Sequence, residues 1–165
     1  MKFKYFLFIL LFLSSLNHFA QDRITSEDLS SLAGDWTGTL TYIDYSSGNP
    51  FTMPADLSVQ LGTNNNQLTL FNIYPNEPKA NNKDKIKISA NGEKLNGKNV
   101  KSVQRNANGT IEIITEFEGK DNRKKALIRS IYIVGNEQFI IRKEVKFQDS
   151  DEWLKRNEFK YKRKQ

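Results

Sequence analysis

Short segments in which apolar and polar residues alternate extend over most of this chain, and they constrain its fold more than any other feature. In the first segment, Trp36, Leu40 and Tyr42 share one side of the alternation, and threonines lie between them. A two-residue repeat is typical of a strand with one buried face. Similar segments occur at residues 53–61, 68–74, 85–90, 94–95, 99–105, 110–118, 124–134, 138–147 and 153–163. The sequence therefore predicts an all-β protein.

Turn-forming residues separate these segments. Asn91-Gly92 and Asn96-Gly97 are strong signals for tight turns, and clusters of Gly, Asn, Pro and Ser occupy other junctions. Strands joined by short turns form an antiparallel up-and-down meander, and closure into a barrel removes the edges that a long open sheet would expose. We expect a lipocalin-like closed barrel of about 8–10 strands, with a two-sheet sandwich as the alternative.

A short helix is expected ahead of the first strand. Residues 25–32 begin with Thr and Ser, which are common N-cap residues, and contain Leu29 and Leu32 three residues apart. Gly34 follows at a position where a helix commonly ends. No Pro-rich or Ser-rich linker divides the sequence that follows, so residues 21–165 are expected to form one domain.

The N-terminal residues predict export. Lys2 and Lys4 precede an apolar run at residues 5–13, and Ala20 provides a small residue at the expected cleavage position. Residues 1–20 are therefore interpreted as a signal peptide, with a retained membrane anchor as the alternative. After cleavage we expect a periplasmic or extracellular protein without a membrane span.

Two residue counts limit the chemistry that the sequence predicts. The chain contains no cysteine, and its single histidine, His18, lies in the segment expected to be removed. A zinc site of the usual type, a haem held by histidine, a Ser-His-Asp triad and disulfide bonds are therefore not expected. We predict neither a cofactor nor a metal site. The net charge of +6 falls to +4 when Lys2 and Lys4 are removed, and residues 154–165 carry much of the positive charge.

The order of these features resembles that of a known superfamily. A helical turn, then Gly34-Asp35-Trp36 at the head of the first strand, then an antiparallel meander is similar to the lipocalin-like, or calycin, barrels, whose G-x-W motif occupies this place. Residues 40–45 and 139–146 also resemble small uncharacterised exported lipocalin-like proteins of Bacteroidetes-type bacteria. The chain departs from classical lipocalins because it lacks their disulfide cysteines and a recognisable long helix between the last strands.

The resemblance implies that Trp36 closes the floor of the barrel. In lipocalin-like barrels a basic residue from the end of the barrel commonly packs across this tryptophan. Arg163 is the first candidate, and Arg142 and Arg156 are the alternatives because a bulge would reverse the alternation. Gly34 would permit the turn from helix to strand.

Candidate ligand-binding residues lie where polar side chains interrupt otherwise apolar faces. Convergent polar groups in an apolar surround are typical of small-molecule pockets. If these faces line one lumen, the predicted pocket contains Leu40, Tyr42, Asp44, Thr115, Ser130, Tyr132 and Lys143. The alternative for Asp44 and Lys143 is a position at a strand end or bulge, where a charged side chain reaches solvent.

These features favour noncovalent binding of a small apolar or amphipathic molecule in the lumen. The alternative is an interaction or inhibitor module with a filled barrel, which would contact an envelope or extracellular protein through loops at residues 46–50 and 75–82. Catalysis is not expected, because no spacing singles out a pair of acid–base residues. Nucleic acid is not expected as a partner, because Lys160, Lys162 and Lys164 alternate onto one solvated face.

Overall fold

The computed structural model describes residues 23–165, so the signal peptide expected at residues 1–20 lies outside the described residues. Helix α1 spans Ser26–Ser30. The Thr25 hydroxyl accepts a hydrogen bond from the Asp28 N–H, and the Asp28 carboxylate accepts one from the Thr25 N–H. This capping box fixes the start of a helix too short to be stable alone. Within the described residues, no helix has the length and apolar character needed to cross a membrane.

Strands dominate the described chain. Their bounds are β1 (Gly34–Ile43), β2 (Pro50–Pro54), β3 (Asp56–Leu61), β4 (Gln67–Ile73), β5 (Asn82–Lys87), β6 (Lys94–Leu95), β7 (Lys98–Arg105), β8 (Ile111–Asp121), β9 (Lys124–Val134), β10 (Gln138–Phe147) and β11 (Leu154–Arg163). A single turn of 3-10 helix, Pro78–Ala80, precedes β5. The predicted all-β fold with a short N-terminal helix is confirmed.

The sheet follows the order β5-β4-β3-β1-β11-β10-β9-β8-β7-β6, with antiparallel pairing throughout. β2 and β3 pair with β1 in one continuous register and act as one bent strand. Gly38 lies at this bend, where its carbonyl oxygen accepts a hydrogen bond from the Ala55 N–H. A Cβ atom at Gly38 would lie 2.1 Å from the Lys160 carbonyl oxygen, so no side chain fits there. The result is a nearly closed ten-strand barrel rather than a two-sheet sandwich.

One end of the barrel is closed around Trp36, which is 1% exposed. The Arg163 guanidinium carbon lies 4.1 Å from the centre of the Trp36 ring. The same guanidinium donates hydrogen bonds to the carbonyl oxygens of Ala33 and Ser31. The Trp36 Nε1–H donates to the Leu32 carbonyl oxygen at 2.9 Å. Arg163 therefore ties the segment after α1 to the end of β11 across the indole.

The alternative arginines lie elsewhere. Arg142 donates to the buried Glu158 carboxylate on the outer face of the sheet, and Arg156 donates to the Asp121 carboxylate near the opposite end of the barrel. The pairing of β10 with β11 shifts register so that Arg156 becomes the extra residue of a bulge. Gly34 has a φ of +119°, a backbone conformation that favours glycine.

The two ends of the strand order, β5 and β6, meet along a line with few hydrogen bonds, which we call the seam. It consists of residues 82–88, which include β5, and residues 94–96, which begin in β6. One isolated bridge connects the two segments. The Asn96 N–H donates to the Lys87 carbonyl oxygen, and the Lys87 N–H donates to Asn96 Oδ1, each at 2.8 Å. The cavity described next lies beside this line.

Candidate ligand-binding site

A partly open cavity of about 280 Å³ lies beside the seam. Leu70 and Ile86 form its apolar wall on the side of β4 and β5, and Ile141 and Phe159 form the wall on the side of β10 and β11. Leu70 and Ile86 are buried, while Ile141 and Phe159 are partly buried and pack against the main core. The cavity thus lies between two parts of the barrel that are far apart in the sheet order.

Tyrosine hydroxyls add polar groups to this apolar surround. Tyr74 and Tyr161 line the cavity and are 9% and 2% exposed. Neither hydroxyl forms a hydrogen bond to another described residue, and no fully buried side-chain polar atom in that part of the chain lacks a partner. Both hydroxyls therefore contact the space of the cavity. Burial, and then the neighbouring Tyr74, raise the pKa of Tyr161, which stays a neutral hydrogen-bond donor.

A third tyrosine lies at the seam. Tyr132 lines the cavity, and the Asn96 side chain hydrogen-bonds to its hydroxyl. Burial raises the pKa of Tyr132 most, and the charge of the nearby Asp84 carboxylate raises it further, whereas the hydrogen bond from Asn96 acts in the opposite direction. Tyr132 therefore stays protonated at neutral pH. Asn96 links the cavity to the seam, because it also holds Lys87.

Amide side chains border the other part of the cavity. Asn72 on β4 and Asn82 on β5 are register partners. The Asn72 Nδ2–H donates to Asn82 Oδ1 at 2.8 Å, and the Asn82 Nδ2–H donates to the Ala80 carbonyl oxygen at 3.0 Å. These bonds leave Asn72 Oδ1 available as an acceptor among the residues that line the cavity.

The structure brings one of the residues predicted to line the lumen, Tyr132, to this cavity. Leu40 and Tyr42 share the face of β1 that carries Trp36, and both pack against the main core. The Tyr42 ring lies 5.5 Å from the ring of Phe51. Neither Leu40 nor Tyr42 is among the residues that line the cavity.

Asp44 lies in the turn after β1. Its Oδ1 atom accepts hydrogen bonds from the backbone N–H and hydroxyl groups of Ser46 and Ser47. These bonds, led by the Ser46 hydroxyl, lower the pKa of Asp44 to about 2. Asp44 therefore stabilises its own turn, as in the alternative considered above, and does not reach the cavity.

Thr115, Ser130 and Lys143 lie side by side on β8, β9 and β10. The Lys143 ammonium donates to Asp121 Oδ1 at 2.7 Å. Asp121 also accepts hydrogen bonds from Arg156 and from the Tyr45 hydroxyl, at 2.6 and 2.9 Å. These residues are brought together near the end of the barrel opposite Trp36, beyond the cavity.

The negative charge of Asp121 is balanced by its cationic neighbours. Its burial opposes ionisation, but the hydrogen bonds and charges of Lys143, Tyr45 and Arg156 outweigh that effect and hold the pKa of Asp121 below its usual value. The side chain of Asp121 is 1% exposed and has two cationic partners. This cluster is therefore a satisfied ionic contact between strand ends.

Seven polar residues that line the cavity are not part of the pocket predicted from the sequence: Asn72, Tyr74, Asn82, Asp84, Lys85, Asn96 and Tyr161. Residues 75–82 were predicted to be a loop, and the following strand was predicted to begin at residue 85. The observed β5 begins at Asn82. The signal that could have identified it is the alternation of Asn82, Asp84 and Ile86 onto one face.

A larger depression of about 540 Å³ lies at the ends of β8, β9 and β10. It is lined partly by charged side chains, including Lys120, Lys125 and Lys146, and it is open to solvent. The cavity beside the seam is smaller and partly open: apolar and tyrosine side chains line its inner part, and the exposed residues Asn82, Asp84 and Lys85 line its mouth. Because a few polar groups beside apolar side chains are the usual composition of a ligand pocket, we assign the candidate site to the cavity beside the seam.

Comparisons with known proteins support the fold. No protein-family model and no curated protein matches this sequence. Rv2717c from M. tuberculosis has a similar structure, with a TM-score of 0.57 and 11% identity over 87% of this chain and 100% of that chain. A protein of unknown function from the DUF3598 family of Nostoc punctiforme gives a TM-score of 0.40 and 12% identity over 86% of this chain and 50% of that chain.

The similarity to Rv2717c concerns the barrel fold alone, because the identity is 11%. The similarity to the Nostoc punctiforme protein is too weak to support an argument, and this chain spans half of that protein's length. A barrel that could hold a ligand is therefore established. Membership of the calycin superfamily and kinship with Bacteroidetes-type proteins stay predictions.

Proposed function

We propose that this chain is an exported binding protein that holds a small amphipathic organic molecule noncovalently in the cavity beside the seam. The observation that carries the proposal is the cavity itself, where apolar side chains from opposite sides of the barrel meet the hydroxyls of Tyr74 and Tyr161, which have no hydrogen-bond partner among the described residues. A hydroxyl that is open to a cavity can exchange a hydrogen bond to water for one to a ligand. A bound molecule with a polar group would hydrogen-bond to these hydroxyls in place of water.

The size of the cavity restricts the ligand. Small-molecule pockets commonly measure about 300–1,000 Å³. At about 280 Å³, this cavity would accommodate a molecule near the small end of that range, with one ring or a short chain. An interior space of this size also favours a binding role over the filled-barrel interaction module considered from the sequence.

The proposal includes export and excludes catalysis. The pattern of Lys2, Lys4 and an apolar run at residues 5–13 supports export. The raised pKa values of Tyr132 and Tyr161 support binding, because both hydroxyls stay protonated near neutral pH and neither serves as a general base. Among the described residues that line the cavity, Asp84 provides the one carboxylate, so no carboxylate pair is available.

A titration with 2-phenylethanol tests the proposal, because this probe has one ring and one hydroxyl. We expect saturable binding, followed by calorimetry or by chemical-shift changes of cavity residues. Ile141→Trp should abolish binding by filling the cavity. Ile140→Trp is the matched control, because Ile140 is the neighbouring residue on β10 and lies in a groove outside the barrel.

Loss of binding in both variants, or in neither, would contradict a site in this cavity. Circular dichroism and urea unfolding establish that both variants are folded before they are compared. Native mass spectrometry of the protein purified from its own host provides an independent measurement. A co-purifying small molecule that is absent from Ile141→Trp is the expected result.

A further inference from the structure

The carboxylate at the mouth of the cavity differs from the two carboxylates that are buried in the barrel wall. Asp121 has two cationic partners, and Glu158 has three. Asp84 forms no ion pair with any described residue. One of its oxygens accepts a hydrogen bond from the Lys85 N–H at 2.7 Å, which leaves the other oxygen available. Asp84 therefore gives the cavity mouth a negative charge that the protein does not neutralise.

Basic groups do not offset this charge inside the cavity. Among the described residues that line it, the basic one is Lys85, which is adjacent to Asp84 on β5 and exposed. Side chains of consecutive residues in a strand point to opposite faces, so Lys85 shares its outward face with Lys83 and not with Ile86. An anionic ligand would find no positive partner on the inner wall and would face Asp84.

Aromatic rings form the remaining part of this environment. Tyr74, Tyr132, Phe159 and Tyr161 line the cavity. The rings of Phe159 and Tyr161 are nearly parallel, with centres 5.8 Å apart. The faces of aromatic rings attract organic cations, and the attraction increases where water is excluded. Unpaired carboxylate and aromatic rings together favour a positively charged ligand.

We propose that the ligand is a small organic amine, with its ammonium group at Asp84 and Asn72 Oδ1 and its apolar part between Ile141 and Phe159. This inference rests on the proposed binding function and specifies its ligand class. The ammonium group supplies the donors that Asp84 and Asn72 lack, whereas a neutral alcohol supplies a single donor. The tyrosine hydroxyls would then hydrogen-bond to water or to a polar substituent of the amine.

Three probes with similar carbon skeletons and different charges test the ligand class at pH 7. They are 2-phenylethylamine, which is cationic, 2-phenylethanol, which is neutral, and 3-phenylpropanoate, which is anionic. We expect the amine to bind about fivefold more tightly than the alcohol, as for a partly exposed ion pair, and the propanoate to bind least. Equal or tighter binding of the alcohol or the propanoate would overturn the assignment of an amine.

Asp84→Asn provides the second measurement. It should weaken binding of the amine about fivefold and leave binding of the alcohol unchanged. Asp149→Asn is the control, because Asp149 is exposed in the turn after β10, and this variant should change neither affinity. Asp84 is exposed on β5, so the variant is expected to fold, and circular dichroism checks this.

The outcomes separate the two proposals. If the alcohol binds in a manner sensitive to Ile141→Trp but the amine binds no better, the cavity site stands and the amine assignment fails. If Asp84→Asn leaves the affinity of the amine unchanged, the assignment also fails. If none of the three probes binds, the proposed function fails and the amine assignment fails with it.

Discussion

Two parts of this barrel are built differently. Strands β8 to β11, which we call the long wall, contain 10 or 11 residues each, whereas β3 to β5, the short wall, contain six or seven. Side chains on the outer face of the long wall form a continuous set of ion pairs: Glu116–Arg129, Arg129–Glu144, Arg142–Glu144, Arg142–Glu158, Lys155–Glu158 and Lys160–Glu158. Within residues 23–165, no such ion pair joins the strands of the short wall.

This difference suggests how one barrel combines stability with access. The long wall gains backbone hydrogen bonds along its length and ionic contacts between neighbouring strands. The short wall depends on fewer backbone pairs and on a buried apolar face that includes Leu57, Leu70 and Ile86. The cavity lies between the two walls, and the seam borders the short wall. We therefore expect local opening to be confined to the short wall.

The largest effect is expected from Trp36→Ala, because Trp36 lies on β1, which joins the short wall to the long wall. The free energy of unfolding, measured with urea, should fall by about 3–5 kcal/mol, since a fully buried indole is removed. Trp153→Ala is the control. Trp153 stacks against Arg129, 3.9 Å away, and its loss should cost about 1 kcal/mol or less. Similar losses in both variants would contradict the role of Trp36 in joining the walls.

A smaller effect is expected from Glu158→Gln, which interrupts the ion pairs of the long wall. Glu158 is buried, but Lys155 and Lys160 are about half exposed, so solvent screening limits the loss to about 1–2 kcal/mol at pH 7. Glu112→Gln is the control, because Glu112 lies on the same wall and forms no ion pair with a described residue.

The effect of Glu158→Gln should depend on pH. Burial opposes ionisation of Glu158, but Arg142, Lys155 and Lys160 outweigh it and lower the pKa of Glu158 below its usual value of 4.5. A carboxylate with a lowered pKa stabilises the fold above the unfolded-state pKa, and this stabilisation is lost as pH falls through the folded-state pKa. The difference from the unmodified protein should therefore be constant above pH 4.5 and decrease below it. A difference that persists in acid would show that the ion pairs are not its source.

The smallest effect is expected from Asn96→Gly, which tests whether the seam opens independently of the long wall. Glycine suits the positive φ of 51° at this position, so the loss comes from the missing side-chain bonds to Lys87 and Tyr132. Stability should fall by about 1 kcal/mol. Amide hydrogen exchange should accelerate in β5 and stay unchanged in β9. Asn122→Gly is the matched control, since Asn122 has a φ of 45° in the turn between β8 and β9. Faster exchange throughout the barrel would contradict local opening.

The parts of the fold that depend on short-range pattern could be predicted from the sequence. The two-residue alternation identifies strands because half-buried strands require it, and the turn residues between them indicate antiparallel order. The same alternation places Arg163 opposite Trp36 in the observed register. Strand bounds were less accurate where the polar residue lies on the inner face, as at Asn82 and Asp84 in β5.

The candidate site could be predicted only in small part, because it depends on features without a local pattern. The bulge in β10 and β11 turns Arg156 toward Asp121, where it helps to bind the carboxylate that also holds Lys143. No alternation in the sequence marks such an extra residue. The cavity lies beside the incomplete closure between β5 and β6, which is a property of the whole sheet. Of the residues in the predicted pocket, Tyr132 lines the cavity because its ring lies on an apolar inner face, whereas Asp44 stabilises a turn.

The seam joins two segments that are close together in the sequence, whereas the pairing of β1 with β11 joins strands that are far apart in the sequence. The entropy cost of forming a contact grows with the logarithm of the length of the loop that it closes, so the pairing of β1 with β11 costs more entropy to form than the seam does. Breaking the seam frees a short loop, and loops of about ten residues close again within about 10–100 ns. If the chain binds a ligand as proposed, we expect the molecule to enter at the seam while the pairing of β1 with β11 keeps the chain folded.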